Sequence, residues 1–77
     1  MVRVIVHLHG ELKNRFPISN TLELDVESYT TLDELIGILH LTYDEVIVTL
    51  VNGKACGLEY NLVDGDRLDI FPPLAGG

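Results

Sequence analysis

Residues 31–39 read TLDELIGIL, and the fold turns on how they are read. Leu32, Leu35, Ile36 and Leu39 fall at i, i+3, i+4 and i+7, one apolar stripe of an amphipathic helix. Thr31 stands three residues ahead of Glu34 in the form of a capping box, with Thr30 as the alternative cap. Asp33 adds negative charge to the first turn, where the helix dipole favours it. Gly37 costs about 1 kcal/mol relative to Ala inside a helix, so it marks close packing or an early end. His40 follows the last apolar position, where a cation suits the dipole.

On both sides of this stretch the period drops to two. Residues 1–9, MVRVIVHLH, set Val2, Val4, Val6 and Leu8 against Arg3, Ile5, His7 and His9, a half-buried strand of about eight residues. Residues 21–27, TLELDVE, turn Leu22, Leu24 and Val26 inward and leave Thr21, Glu23, Asp25 and Glu27 in water. Between them, GELKNRFPISN is a connection with room for one helical turn at ELKNRF. After the helix, DEVIVTLVNG is rich in β-branched residues and closes on Asn52-Gly53, a hairpin turn signal. KACGL is a short returning strand, EYNLV a loop and Asp64-Gly65 a turn. RLDIF then turns Leu68 and Ile70 inward and Arg67, Asp69 and Phe71 outward. Pro72-Pro73 ends the pairing, because proline donates no ladder hydrogen bond.

The order is strand, strand, helix, strand, short strand, strand, without repeat or internal linker. It predicts an α+β domain of the β-grasp kind, a mixed sheet of four to five strands packed on one helix, with right-handed crossover chirality leaving few alternatives. Residues 1–77 are expected to form a single such domain, with a flexible tail at 72–77.

Composition narrows the function classes. Five Lys and Arg against twelve Asp and Glu give a formal charge of -7, so nucleic acid is not an expected partner, since phosphate binding rests on clustered positive charge. Such acidity either keeps a small domain soluble or steers it to a basic patch on another protein. No apolar run approaches the roughly 18 residues of a membrane span, and a cytoplasmic location without membrane contact is expected. Cys56 has no second cysteine for a disulfide, zinc or redox pair, and reads as a small apolar residue on the short strand.

Catalytic constellations are scarce. His7 and His9 share an outward strand face, yet no third ligand accompanies them and no metal site is expected. P-loop, dinucleotide and nucleophile-elbow patterns are missing, and Asp64-Gly65-Asp66 is a turn without the rest of a calcium loop. What remains is FPPLAGG at residues 71–77. Gly76 and Gly77 lack side chains, so their backbone can pass a narrow channel and present a carboxylate to another enzyme. Pro72 and Pro73 hold the chain extended and lower the entropy lost on insertion. A frayed end accounts for the composition equally well.

Val51-Asn52-Gly53, Leu62-Val63-Asp64-Gly65-Asp66 and the FPPLAGG stretch, in this order and spacing, resemble the ubiquitin-like sulfur carriers of the MoaD/ThiS family. The resemblance covers nearly the whole chain, and the FPPxxGG form is most similar to MoaD, the small subunit of molybdopterin synthase. It implies a carrier with no catalytic side chains and no permanently bound cofactor. By resemblance, a ubiquitin-activating-type enzyme adenylates the Gly77 carboxylate with ATP, and a sulfur donor converts it to a thiocarboxylate; Gly76 keeps Gly77 reachable. The molybdopterin synthase large subunit would then use that sulfur to build the molybdenum or tungsten cofactor. Carriers for thiamin or cysteine synthesis share the tail, as do modifiers conjugated to lysines, and a plain interaction module with an incidental tail is a further alternative. Partner contact is expected at Phe71, Pro72, Pro73, Leu74 and Ala75, with Ile5 and Leu50 extending an outward apolar patch near the tail and Phe71 as anchor. The free protein is expected to be a monomer.

Overall fold

Two alternating strands at the start of the chain pair with one another. β1 (Val2–Leu8) runs antiparallel to β2 (Thr21–Val26), with Val4 opposite Leu24 and His7 opposite Thr21. The structure, a computed structural model, describes residues 1–15, 19–42, 44 and 48–73. β3 (Val48–Val51) and β4 (Lys54–Ala55) form a hairpin, and β5 (Arg67–Phe71) lies between β1 and β3, parallel to the first and antiparallel to the second. The sheet order is β2-β1-β5-β3-β4, with α1 (Leu32–Ile38) as the α-helix among the described residues. This is the mixed five-stranded sheet with one helix that the alternation predicts.

The core follows from the two periodicities. Val4, Val6, Leu8, Val51, Leu68 and Ile70 come from the inner sheet face, and Leu32, Leu35, Ile36 and Leu39 from the helix stripe; all are buried in one cluster. Leu22 and Leu24 share the inward parity but are half-buried, because β2 is an edge strand and has a neighbour on one side only. The connection after β1 is a 3-10 helix over Gly10–Arg15, longer than the single turn expected, and its Leu12 closes the same core.

A helix of seven residues has little cooperativity of its own, so its ends matter. At the start, the Glu34 amide donates to Thr31 Oγ1 at 3.2 Å and the Thr31 amide donates to Glu34 Oε1 at 3.0 Å, a complete capping box. Thr30, the alternative cap, instead donates its hydroxyl to the Glu27 carbonyl at 2.6 Å and closes the preceding turn. At the other end, His40 takes a left-handed φ of 59°, its amide donating to Gly37 O and the Leu41 amide to Ile36 O. That is the Schellman pattern, with histidine where glycine is usual. The end of the helix is therefore set by the backbone of His40, and the cation at the dipole that the sequence suggests is not what terminates it. Gly37 has nothing within 4 Å of the place a Cβ would occupy, so close packing is ruled out, and the helix does end one residue later.

The β3–β4 turn has positive φ at both central residues, 52° at Asn52 and 84° at Gly53, the type I′ geometry whose twist suits a hairpin. Only Lys54 and Ala55 pair as strand, so the short strand stops before Cys56, which is half-buried against the core beyond it. Residues 45–47 of the expected third strand lie outside the described residues.

The two loop motifs meet at Asp66, a carboxylate only 5% exposed. Its Oδ1 accepts from Asn52 Nδ2 at 2.9 Å; its Oδ2 accepts from the Tyr60 hydroxyl and from the Val63 amide, both at 2.8 Å. The backbone around it is equally engaged. Ile5 N donates to Asp66 O at 2.9 Å, Asn52 N donates to Arg67 O at 2.8 Å, and Arg67 N donates to Asn52 Oδ1 at 3.0 Å. Ahead of it, Arg3 N donates to Asp64 Oδ1 and Gly65 N, at a φ of 90°, to Arg3 O. VNG and DGD thus act together to start β5 in register with both neighbours.

The hydrogen bond to Asp66, with burial and the carboxylate charge, raises the Tyr60 pKa above its ordinary 10.0. A group held protonated in the folded state contributes stability that is complete below the unfolded pKa and lost as pH rises through the folded one. The stability difference between wild type and Tyr60→Phe should therefore be constant from neutral pH to 10.0 and shrink above it. Urea unfolding across that range measures it; a difference that does not shrink above that pH would contradict the assignment.

Candidate functional site

β5 is the middle strand of the sheet, and it carries the C-terminal stretch. Its last inner residue, Ile70, accepts from His9 N at 3.0 Å, and the ladder ends at Phe71 because Pro72 has no amide proton to continue it. Phe71 faces outward and lies flat against the His9 ring, with centroids 4.3 Å apart and planes 8° from parallel. His9 Nε2 in turn lies 2.9 Å from Asp69 Oδ1, so the imidazole is pinned from β5 while its face covers one side of Phe71. On the other flank Val48 stands opposite Phe71 across the β3–β5 ladder, 41% exposed.

The next residue is seated with equal definition. Gly10 has a φ of +59°, and a Cβ there would lie 2.9 Å from Pro72 Cγ and 3.3 Å from Cδ. Glycine is required twice over, by the left-handed backbone and by the approach of the proline ring. Pro72 is half-buried in this seat and Pro73 is exposed, so the chain leaves the sheet between them. Leu74, Ala75, Gly76 and Gly77 lie outside the described residues.

The expected apolar patch is only partly assembled. Leu50 stands opposite Asp69, two residues along β3 from Val48, so Leu50, Val48 and Phe71 adjoin on the outer face. Ile5 does not join them: its neighbours are Glu23 on β2 and Arg67 on β5, and β5 places Arg67 and Asp69 between it and Leu50. Parity puts Ile5 on the right face, but the parallel register of β1 and β5 carries it away from the tail. The two histidines do not act as a pair either. His7 Nδ1 lies 3.1 Å from Thr21 Oγ1 while His9 engages Asp69, and no group of three metal-ligating side chains occurs among the described residues.

Val48, His9 and Gly10 belong to this site, although the sequence pattern gave Val48 and Gly10 no role in it and His9 only that of one half of a histidine pair. Val48 was legible, since it shares the parity of Leu50. His9 and Gly10 were not, because their roles depend on which strand lies beside β1. The described part of the site offers a stacked aromatic, an apolar shoulder and a seated proline, with the His9–Asp69 pair beside them.

The family model described as the ThiS family matches residues 6–77. No curated protein matches the chain in sequence. Among solved structures, small archaeal modifier protein 1 of Haloferax volcanii superposes with a TM-score of 0.77 at 27% identity, over 97% of this chain and 99% of that one. Subunit 1 and 2 of molybdopterin-converting factor from Helicobacter pylori, solved as a complex, give a match with a TM-score of 0.67 at 24% identity, over 99% and 100%. A ubiquitin of Caldiarchaeum subterraneum matches at 0.63 with 17% identity, over 99% and 98%. The last two likenesses concern the fold, which is the ubiquitin-like β-grasp.

The seat at Gly10 makes a sharp prediction. Gly10→Ala should lower stability by about 1–2 kcal/mol, the cost of a left-handed backbone for an L-residue, and should shift the amide resonances of His9 and Phe71 as Pro72 is displaced. Gly37→Ala, with open space around it, should raise stability by up to about 1 kcal/mol. Chemical denaturation with NMR on both variants measures this; an unchanged midpoint and spectrum for Gly10→Ala would contradict the seat.

Proposed function

The chain belongs to the ThiS family of small ubiquitin-fold sulfur carriers, and from that footing we propose that it carries sulfur on the carboxylate of Gly77 for molybdopterin synthesis, as the small subunit of molybdopterin synthase. The observation that supports this reading most is that Phe71, the first residue of FPPLAGG, ends the middle strand of the sheet. β5 ends at Phe71 in the middle of a five-stranded sheet, Pro72 is seated against Gly10, Pro73 is exposed, and the sequence beyond closes on two glycines.

The chemistry requires this division. A carboxylate resists nucleophilic attack, so a ubiquitin-activating-type enzyme joins it to the α-phosphate of ATP and releases pyrophosphate; the acyl-adenylate then has AMP as a leaving group. Sulfide, or a donor that delivers sulfur at that oxidation level, attacks the acyl carbon, AMP departs, and a thiocarboxylate is left. The carrier supplies binding energy for this and no catalytic side chain. Phe71, with Val48 and Leu50 beside it, is the docking anchor, while Pro73, Leu74 and Ala75 lead Gly76 and Gly77 to the reacting centre. The synthase large subunit then draws the sulfur from the same terminus, in a pairing of the kind that the Helicobacter pylori complex of subunits 1 and 2 represents.

The likeness to a small archaeal modifier protein favours a second reading, in which a lysine amine displaces AMP and Gly77 ends in an isopeptide bond. Intact mass distinguishes the two. With an activating enzyme, ATP and sulfide, the protein should gain about 16 Da as one carboxylate oxygen is replaced by sulfur. No gain would reject the carrier reading, and Gly-Gly remnants on lysines of other proteins would establish the modifier in its place.

A further inference from the structure

β2 is an edge strand, and its outer rim is open. Leu8 N donates to Asn20 O, which fixes the phase of the β1–β2 ladder: Leu22, Leu24 and Val26 turn their backbone groups to β1, and Thr21, Glu23 and Asp25 turn theirs to the free edge. At Thr21 the Ser19 hydroxyl occupies those groups, accepting from Thr21 N at 3.1 Å and donating to Thr21 O at 3.0 Å. At Glu23 and Asp25, among the described residues, nothing does.

Beside this rim, between β2 and α1, runs an open groove of about 320 Å³, lined by the apolar Met1, Leu24, Val26 and Ile38 and by the polar Asp25, Glu27 and Thr30. Ile38 is 52% exposed and Met1 76%, so the walls are apolar surface that α1 and β1 leave uncovered. The upper face of the same strand is acidic. Asp25 is paired with Arg3 at 2.9 Å, which holds its carboxyl below the usual carboxylate range; Glu23 shares the field of the same guanidinium without a hydrogen bond to it, and Glu27 is exposed at the strand end. Three carboxylates against the Arg3 guanidinium and the Met1 ammonium leave the strip with a net charge of one negative.

From these observations we propose that the free edge of β2 and the groove beneath it receive a basic, extended segment of another protein by strand addition. Its backbone pairs with Glu23 and Asp25; its alternate residues place Lys or Arg beside Glu23 and Glu27 and apolar side chains over Leu24 and Ile38. The charge selects this occupant over a second copy of the chain, because pairing β2 with itself would set carboxylate beside carboxylate. It also selects a cationic segment over a neutral one. The site runs from Glu23, opposite Ile5, to the Met1 and Val26 end of the sheet, whereas Phe71 leaves beyond the Leu8 and Ile70 end, about 10 to 20 Å away along β1. A partner held on β2 therefore leaves the C-terminal stretch free for a second protein.

The test is an NMR titration of the labelled full chain with a seven-residue capped peptide alternating Lys and Val. Shifts should concentrate at Glu23, Asp25 and Ile38 and spare Phe71. The double variant Glu23→Lys, Glu27→Lys should weaken binding about tenfold or more, as should Ile38→Glu alone. A peptide of the same composition with its lysines in one block should bind more weakly than the alternating one. Equal affinity for the two peptides, unchanged affinity in both variants, or shifts centred on Phe71 would overturn the proposal. So would a dimer that sedimentation shows to form through β2 without peptide.

Discussion

The carboxylate of Asp66 is the constraint on which the rest of this structure depends. It is buried, and a buried carboxylate is tolerable only when its lone pairs are met. Asn52, Tyr60 and Val63 meet them from the hairpin turn, the long loop and the last turn, so one carboxylate ties three segments together. Its own carbonyl then accepts from Ile5, and its neighbour Arg67 exchanges hydrogen bonds with Asn52, so the first rungs on both sides of β5 are set at one place. Register in a sheet is all or nothing, since a slip by one residue would turn Leu68 and Ile70 to solvent. Once the start of β5 is fixed, its end is fixed too, five residues on, at Phe71 against His9 with Pro72 on Gly10.

This explains how a domain of such size can serve as a handle. The core of Val, Leu and Ile from the inner sheet face and α1 supplies stability and takes no part in the chemistry. The outer face is left for recognition, and it is divided. Around Phe71, Val48 and Leu50 it is apolar; toward Ile5 it carries Arg67 and Asp69; along β2 it is acidic. On the readings proposed above, the two ends of one sheet answer to different partners, the tail root to an activating enzyme and the β2 edge to a basic strand.

Much of this was legible in the chain. The helix could be read from Leu32, Leu35, Ile36 and Leu39, the cap from Thr31 and Glu34, the hairpin from Asn52-Gly53 and the strand faces from alternation, because each is a local pattern whose physical cause lies within a few residues. What escaped depended on neighbours distant in sequence. The flat stack of His9 on Phe71 and the contact of Gly10 with Pro72 exist because β1 and β5 are parallel and adjacent, and Ile5 is separated from Leu50 for the same reason. His40 in a left-handed conformation was hidden differently: histidine carries no strong signal for it, and it goes with the Schellman bonds of His40 to Gly37 and of Leu41 to Ile36 at the helix end. The VNG and DGD stretches were visible as turns and as marks of kinship, yet their shared purpose appears only when Asn52 and Asp66 are seen to touch.

Asp66→Asn tests that purpose most directly. The substitution keeps the size and removes the charge, but it replaces one acceptor oxygen by an amide donor that must face either Asn52 Nδ2 or the two donors at Tyr60 and Val63. Asn52 cannot rotate to compensate without giving up Arg67 N. Amide hydrogen exchange followed residue by residue should then show protection falling at Ile5 and Arg67 and along β5 to Phe71 by more than it falls at Leu35 and Leu39 in the helix. Equal loss at both places, or protection of β5 as in wild type, would contradict the claim that this carboxylate holds the strand on which the C-terminal stretch is carried.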